Sequence, residues 1–445
     1  MTGVEEFSGF GWRPLAVAGI NLDAVQRRPV RLIPALPSQS DPAHGPPPAA
    51  GVDSARAWLV VLATFLSTST AFFVTYSFTT FLGAMSAEFG TGSGSTSLLF
   101  SLTIFFLFVL GLPAGRASDR WGPRPVMLVG AAILVSGLLA TSVVPRIEYG
   151  YVTYGLGIGL GVACCYVPVV SQVTGWFQRR RAAALGIAVS GIGAGTILGP
   201  PISQALIDAY GWRSTYQILA GVAAVGFLAA ASLIAPAPSM AGAPPVRLGA
   251  LFRSPLFRAM YIAGFLMSLG LFVPFVFLKP YAETQGVDPA RAAVLVSVLG
   301  IGSLLGRLVL ASFAGVLGVL RLYQLCFVVL AGSFPIWYLG GPSMALLALF
   351  AFVLGTAYGG YVALSPAAAA ELFGLAGLGA VLGAMYTAGG VGGLIGPPVA
   401  GRVFDMTESY TIPIFGAMAV SVLGVIVLRR AITLARTAPF SPDTP

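Results

Sequence analysis

The sequence predicts an all-α membrane protein with twelve transmembrane helices arranged as two parallel six-helix repeats. Three observations support this. The 445-residue chain is 57% hydrophobic and only 9% charged, whereas about a quarter of the residues in soluble domains are charged. Its apolar runs are long enough to cross a bilayer, which takes roughly 20 residues each. Finally, features of the first half recur in the second at an almost constant offset.

The apolar runs occur at regular intervals from about residue 57 onward. We place them at 57–83, 95–114, 125–144, 149–173, 182–207, 214–236, 257–280, 291–313, 319–339, 343–368, 377–401 and 411–435. The longest polar interruption separates the first six runs from the last six. The predicted organisation is a disordered cytosolic tail (1–54), an N-terminal six-helix bundle (55–236), a cytosolic linker (237–256), a C-terminal six-helix bundle (257–436) and a short cytosolic tail (437–445).

The positive charges predict the orientation. With the N-terminus inside, 18 of the 24 Lys and Arg residues fall on the cytosolic side, five fall outside, and Arg307 lies within a span. This bias predicts a multi-pass protein of the plasma (inner) membrane with both termini cytoplasmic. The net charge of +9 therefore reflects topology, and we expect a lipid bilayer and no nucleic acid as partner. All three cysteines lie in apolar runs, so no metal site and no cofactor are expected.

An internal repeat supports the division into six plus six spans. Gly199-Pro200-Pro201 in the fifth run recurs as Gly396-Pro397-Pro398 in the eleventh, at an offset of 197. Asp208 and Asp405 share that offset. Parallel copies of this kind are related by an axis along the membrane normal, which places a substrate site between them near the midplane.

A charged, glycine-containing motif lies in the predicted cytosolic loop between spans two and three. It consists of Gly115, Asp119, Arg120, Gly122 and Arg124. The glycines permit a tight turn, and Asp119 can pair with the arginines or with a neighbouring helix end. The motif resembles the signature loop of the major facilitator superfamily. The resemblance implies the major facilitator fold and alternating access by two rocking bundles. A loop that only sets topology is the alternative interpretation.

Three aromatic motifs at span ends narrow the resemblance. Trp176-Phe177 precedes three arginines, Gly211-Trp212-Arg213 follows the fifth span, and Asp53 lies five residues before Trp58 at the start of the first. Together they resemble the monocarboxylate transporter branch and the related oxalate:formate antiporter-like carriers. The resemblance covers about residues 53 to 435.

Arg307 is the principal candidate for substrate binding. It lies about eight residues from the cytosolic end of its span, roughly 12 Å along a helix. A cation at that depth normally faces a cavity or a partner, yet all fifteen acids fall in tails, loops or span ends. An unpaired guanidinium suits a carboxylate ligand. In the resembled family an arginine of span eight binds the substrate carboxylate, and Arg307 falls on it. Snorkelling or pairing with carbonyl groups remains the structural alternative.

The sequence departs from the family pattern at several positions. Monocarboxylate transporters usually carry an acid one turn before that arginine, where this chain has Ser303, and a lysine in the first span, where it has Tyr76. Oxalate:formate antiporters place a lysine in span eleven, and this span has none. Tyrosines in spans that line the cavity in the superfamily complete the candidate site, since they supply ring walls and hydroxyl groups: Tyr76, Tyr166, Tyr358, Tyr361 and Tyr386.

The function predicted is a secondary active or facilitative transporter of a small organic monocarboxylate, with Arg307 as carboxylate anchor. A proton co-substrate, as in a symporter, is left open; the substrate carboxyl group or a span-end acid such as Glu371 would have to carry the proton. The alternative is a carrier or efflux pump of the same fold for a neutral or amphiphilic compound. An enzyme is disfavoured because no nucleophile, base and orienting group converge.

Overall fold

The computed structural model describes residues 52–177, 180–238, 248–374 and 378–437, and these are almost entirely helical. The predicted tails, 1–54 and 437–445, lie almost wholly outside these residues. The described helices are α1 (Ala55–Phe89), α2 (Ser93–Trp121), α3 (Pro123–Thr141), α4 (Ile147–Gly150), α5 (Gly157–Trp176), α6 (Arg181–Leu233), α7 (Leu248–Arg253), α8 (Pro255–Thr284), α9 (Pro289–Leu317), α10 (Val319–Gly340), α11 (Met344–Phe373), α12 (Leu378–Thr407) and α13 (Thr411–Thr437). A π-helical turn, Tyr151–Leu156, joins α4 to α5.

The predicted twelve spans are present. Eleven helical segments in the described ranges are long and apolar enough to cross a membrane. One of them lies in α6, whose 53 residues would extend about 80 Å as a straight helix, far beyond a hydrocarbon core of about 30 Å. Gly211 interrupts α6 with φ 75° and ψ 163°, a conformation that glycine adopts without steric cost. The helix therefore makes two passes, the predicted fifth and sixth spans.

Polar residues begin several of the helices where the apolar runs start. The hydroxyl groups of Ser54, Ser254 and Ser343 each accept a hydrogen bond from the backbone N–H three residues later, at the starts of α1, α8 and α11. Asp288 accepts from the N–H groups of Ala290 and Arg291 at the start of α9. These caps satisfy helix N–H groups that have no partner within the helix.

Glycines bring α9 and α11 into backbone contact. Gly302 and Gly306 on α9 lie against the backbone of Phe352 and Thr356, and Gly359 on α11 lies against the backbone of Ser303. A side chain at any of these positions would collide with main-chain atoms of the other helix. These glycine faces thus pack closely, as in other membrane helices. This contact fixes α9, which carries Arg307, relative to α11, which carries Tyr358.

Helices from the two predicted bundles meet in three main places. α2 packs along α12, α6 packs against α9, and α1 contacts α8. In the second contact the Ser297 hydroxyl donates to the Ile197 carbonyl at 2.6 Å. In the third the Thr79 hydroxyl donates to the Val276 carbonyl at 3.0 Å. Side chains on the inner faces of these helices therefore lie between the two predicted bundles.

A glycine substitution tests the contact between α9 and α11. We expect Gly306→Ala to lower the free energy of unfolding by about 1–3 kcal/mol, because the new methyl group would meet the Thr356 carbonyl and force the helices apart. The measurement is the thermal unfolding midpoint of purified protein in detergent. Gly315→Ala on the same helix is the control, since nothing lies within 4 Å of the added carbon. Equal midpoints for the two variants would contradict the expectation.

Candidate functional site

Arg307 lies in the membrane-spanning part of α9, ten residues before the helix ends, and is only 3% exposed. Its Nη1 donates a hydrogen bond to the Val189 carbonyl of α6 at 3.0 Å. Among the described residues its Nε and Nη2 have no hydrogen-bond partner, and the residue forms no ion pair. These two nitrogens lie on the same edge of the guanidinium, where their N–H groups can bind both oxygens of one carboxylate.

Two tyrosines from opposite bundles lie beside this guanidinium. The Arg307 guanidinium carbon is 5.8 Å from the ring centroid of Tyr358, within the range of a cation–π interaction. The Tyr358 hydroxyl is 3.1 Å from the hydroxyl of Tyr76 on α1. Both tyrosines are buried. Their hydrogen bond joins α1 to α11 across the centre of the molecule.

Phenylalanines surround this tyrosine pair. The ring of Phe275 stacks on Tyr76 at a centroid distance of 4.8 Å and meets Tyr358 edge-on at 5.2 Å. Phe72 lies 5.5 Å from Tyr76 and 5.3 Å from Tyr166. The sequence-based site omitted both phenylalanines. Helical spacing could have indicated Phe72, since it lies one turn before Tyr76 on the same face, whereas Phe275 reaches the site through the contact between α1 and α8.

Ser303, one turn before Arg307, is 2% exposed. Its hydroxyl has no hydrogen-bond partner among the described residues. Its backbone lies against Gly359, the residue next to Tyr358. The structure thus places a second buried polar group without a partner on α9 close to the guanidinium.

The other predicted tyrosines lie at different distances from this centre. Tyr166 contacts the ring of Phe72, which also contacts Tyr76. Tyr361 packs against Tyr323 of α10, at a centroid distance of 5.6 Å. Tyr386 packs against Phe108 of α2 at 5.9 Å. The structure therefore places Tyr358 beside Arg307 and Tyr76 in hydrogen-bond contact with Tyr358, and it places Tyr361 and Tyr386 in other aromatic contacts.

The signature loop forms the turn between α2 and α3. Gly122 has φ 88° and ψ 159°, and it allows α3 to begin at the next residue. Asp119, Arg120 and Arg124 are exposed, and the Arg120 guanidinium lies 5.7 Å from the Trp121 ring centroid. In the described part of the chain Asp119 forms no ion pair. The expected pairing of Asp119 with the loop arginines is therefore not formed in this conformation.

The aromatic motifs that carry the branch resemblance contact one another. The Asp53 N–H donates to the Trp176 carbonyl at 3.0 Å, and the rings of Trp58 and Phe177 meet edge-on at 5.1 Å. The Trp176 indole N–H donates to the Ala235 carbonyl at 3.2 Å. These contacts tie the start of α1 to the ends of α5 and α6.

Just after the interruption at Gly211 in the middle of α6, Trp212 and Arg213 are tied to α1 and to the end of α3. The Arg213 Nε and Nη2 donate to one carboxylate oxygen of Glu88 at 2.9 and 2.8 Å. The Trp212 indole N–H donates to the other oxygen. The Arg213 guanidinium also donates to the carbonyls of Ser142 and Val144. These bonds brace three helices at the predicted extracellular side.

Asp405 connects the two bundles at the same predicted extracellular side. Its carboxylate oxygens accept hydrogen bonds from the backbone N–H groups of Ser93 and Gly94 at 2.8 and 2.9 Å. These groups open α2, whose own N-cap residue, Gly92, has no side chain to supply a cap. Gly401 on α12 lies directly against the backbone of Gly94. The carboxylate thus caps a helix of the other bundle and closes this end.

Comparison with known proteins identifies the family. The family model for the Major Facilitator Superfamily matches residues 64–397 and 260–441. The chain therefore belongs to the major facilitator superfamily and is an integral membrane transporter, not an enzyme. Within the superfamily it is placed in the monocarboxylate transporter-like branch by its relatives. Monocarboxylate transporter 13 of Bos taurus is 30% identical over 391 residues, which cover 84% of this chain and 89% of that protein.

A further relative supports that placement, and solved structures share the fold. Monocarboxylate transporter 4 of Mus musculus is 30% identical over 387 residues, 82% of this chain and 81% of the relative. The crystal structure of nucleoside transporter NupG matches with a TM-score of 0.69 and 16% identity, covering 84% of this chain and 99% of that one. A bacterial homologue of the lysosomal transporter Spinster, inward-facing and unoccupied, matches with a TM-score of 0.66 and 14% identity, covering 88% and 100%. At these identities the solved structures show the fold alone.

Removing the Asp405 cap tests its role in closing the predicted extracellular end. We expect Asp405→Ala to cost about 0.5–2 kcal/mol of helix capping, which would move the population toward conformations open at this end. Spin labels on Tyr149→Cys and Ile412→Cys, two exposed positions on opposite bundles, would report a longer distance. The control is Asp208→Ala, because Asp208 is hydrogen-bonded to Gln204 within its own helix. An unchanged distance distribution in Asp405→Ala would contradict the assigned role.

Proposed function

We propose that this transporter carries a small organic monocarboxylate across the plasma (inner) membrane by alternating access, with Arg307 holding the carboxylate. Both termini are placed in the cytoplasm, because that orientation puts most of the Lys and Arg residues on the cytosolic side. Transport is secondary active or facilitative. The observation that carries the proposal is the free edge of the buried Arg307 guanidinium.

A carboxylate is the ligand that this edge accommodates best. A buried guanidinium with two unused adjacent donors is unfavourable by itself, since burial removes the water that would otherwise solvate it. Binding of both carboxylate oxygens to Nε and Nη2 would satisfy the donors and neutralise the charge together. Arg307 also contacts helices from both bundles, through Val189 and Tyr358. A ligand bound there would lie between the moving parts.

The surroundings favour a monoanion with an apolar body. One guanidinium supplies one positive charge, and a second buried negative charge would have no counter-ion. The ring of Tyr358 faces Arg307, Phe275 packs on Tyr76 and Tyr358, and the hydroxyl groups of these two tyrosines add neutral polar groups. Several relatives are monocarboxylate transporters, numbers 4, 12 and 13, and this supports the same substrate class.

The acid considered for proton transfer lies apart from this site. Glu371 is exposed near the end of α11, where it lines a cavity with Arg321 and Leu372. From Tyr358 to Glu371 the helix rises about 20 Å. A proton carried on Glu371 would therefore be far from a carboxylate bound to Arg307, which leaves the substrate carboxyl group as the nearer carrier.

Substitution of Arg307 tests the proposed anchor. We expect Arg307→Ala to weaken binding of the preferred monocarboxylate by about 10- to 100-fold, the loss of a charge-assisted hydrogen-bonded contact of about 1.5–3 kcal/mol. Arg307→Lys should recover part of this, because a lysine keeps the charge but cannot bind both oxygens side by side. Binding would be measured by thermal shift of purified full-length protein with acetate, lactate, pyruvate, benzoate, succinate, an amine and a neutral amphiphile.

Arg321→Ala is the matched control for this experiment. Arg321 is an exposed arginine at the end of the transmembrane bundle, and its loss should leave monocarboxylate binding within about twofold of the original value, as expected of a surface substitution. Stabilisation by the neutral amphiphile or the amine alone, unaffected by Arg307→Ala, would replace the carboxylate proposal with a carrier for neutral or amphiphilic compounds.

A further inference from the structure

The protein supplies little to offset the charge of Arg307. Arg307 is only 3% exposed. One carbonyl, that of Val189, accepts a hydrogen bond, and the face of Tyr358 lies nearby. Both are neutral groups. In the described ranges the guanidinium has no carboxylate partner and two of its nitrogens have no hydrogen-bond partner at all.

Neutral groups also face Arg307 from the other helices packed around the site. Tyr358 on α11 lies beside the guanidinium, and two further tyrosines, Tyr76 on α1 and Tyr166 on α5, interact with it electrostatically. From α6 the Val189 carbonyl accepts the hydrogen bond from Arg307. On α9 itself the buried Ser303 lies one turn before Arg307. An aspartate or glutamate at position 303 would lie on the same helix face, within reach of the guanidinium. The chain has a hydroxyl group there.

Taking the proposed function as given, we propose that the substrate carboxylate is the counter-charge of Arg307, so that the transporter exchanges one monocarboxylate for another and does not couple transport to protons. With a monocarboxylate bound, the site is electrically neutral and can pass through a conformation closed on both sides. Without it, the same passage leaves a positive charge enclosed among aromatic rings, which is costly in a low-dielectric site. Ser303 determines this behaviour, because its hydroxyl carries no charge.

The charge balance follows from this scheme. In exchange, one monoanion enters and one leaves, so that no net charge crosses the membrane. In net uptake the empty transporter must return with Arg307 uncompensated, and one negative charge crosses per cycle. No proton is bound or released in either mode. Exchange should therefore be fast and insensitive to membrane potential, whereas net uptake should be slow and accelerated by an inside-positive potential.

Reconstituted full-length protein allows a direct test. The vesicles would contain phosphatidylcholine and phosphatidylglycerol, and the probe would be labelled pyruvate, an anion throughout the neutral pH range. We expect uptake into vesicles preloaded with unlabelled pyruvate to be about 10- to 100-fold faster than uptake into empty vesicles, the factor expected from an added barrier for the enclosed charge. An inward proton gradient should change neither rate. Accumulation driven by that gradient, or equal rates in the two kinds of vesicle, would overturn the proposal.

A substitution of Ser303 provides a second test of the exchange mechanism. Ser303→Asp places a carboxylate one turn from Arg307 and should raise net uptake relative to exchange by about threefold or more while making net uptake depend on pH, because a protonatable counter-charge is now built into the protein. The control is Ser312→Asp, which adds the same acid at an exposed position of α9. If Ser303→Asp and Ser312→Asp show the same ratio and the same pH response, the role assigned to Ser303 is wrong.

Failure of the proposed function would look different. If preloaded vesicles show no uptake above protein-free vesicles and Arg307→Ala leaves pyruvate binding unchanged, the carboxylate site itself is refuted, and the exchange mechanism with it. If uptake is present and Arg307-dependent but driven by protons, only the exchange mechanism is refuted.

Discussion

A positive charge enclosed near the middle of a membrane protein constrains everything built around it. Burial removes water from the Arg307 guanidinium. Among the described residues, the Val189 carbonyl and the face of Tyr358 are the groups that replace it. The site is consequently unsatisfied when empty, which gives a carboxylate a strong reason to enter. Because Val189 and Tyr358 lie on helices of different bundles, the same charge also couples ligand binding to the relative position of those bundles.

Glycine determines how that charge is positioned. Gly302, Gly306 and Gly359 allow the backbones of α9 and α11 to touch, and this contact sets the distance between Arg307 and the Tyr358 ring. Side chains larger than hydrogen at these positions would separate the helices and widen the site. Close backbone packing between α9 and α11 thus holds Arg307 beside Tyr358, whereas the contact between the bundles at this site is a side-chain hydrogen bond between Tyr76 and Tyr358.

Much of the architecture could be predicted from the sequence because the bilayer imposes one strong rule, the length of an apolar helix. The twelve spans and the depth of Arg307 followed from it. The roles of the five candidate tyrosines were harder to predict. All five lie in suitable spans, but which of them lies beside Arg307 depends on how each helix is rotated, and the length of an apolar run does not determine that rotation. Phe275 was missed for the same reason, since it meets Tyr76 only through the packing of α8 on α1. The bond from Arg307 to the Val189 carbonyl could not be predicted either, because it requires knowing which helix of the other bundle faces α9.

The two halves of the repeat use equivalent aspartates in different ways. Asp405 reaches across to the start of α2, whereas Asp208, its counterpart at an offset of 197 residues, is hydrogen-bonded to Gln204 in its own helix. In the described residues the duplicated scaffold therefore has an aspartate cap between the bundles where α2 meets α12, whereas Asp208 bonds within its own helix. The opposite side, where α6 meets α9, is held by the Ser297 hydroxyl and by close packing of Gly193 and Gly300 against the facing helices. Loss of the Asp405 carboxylate would therefore weaken the interface where α2 meets α12 and leave the bond between α6 and α9 in place.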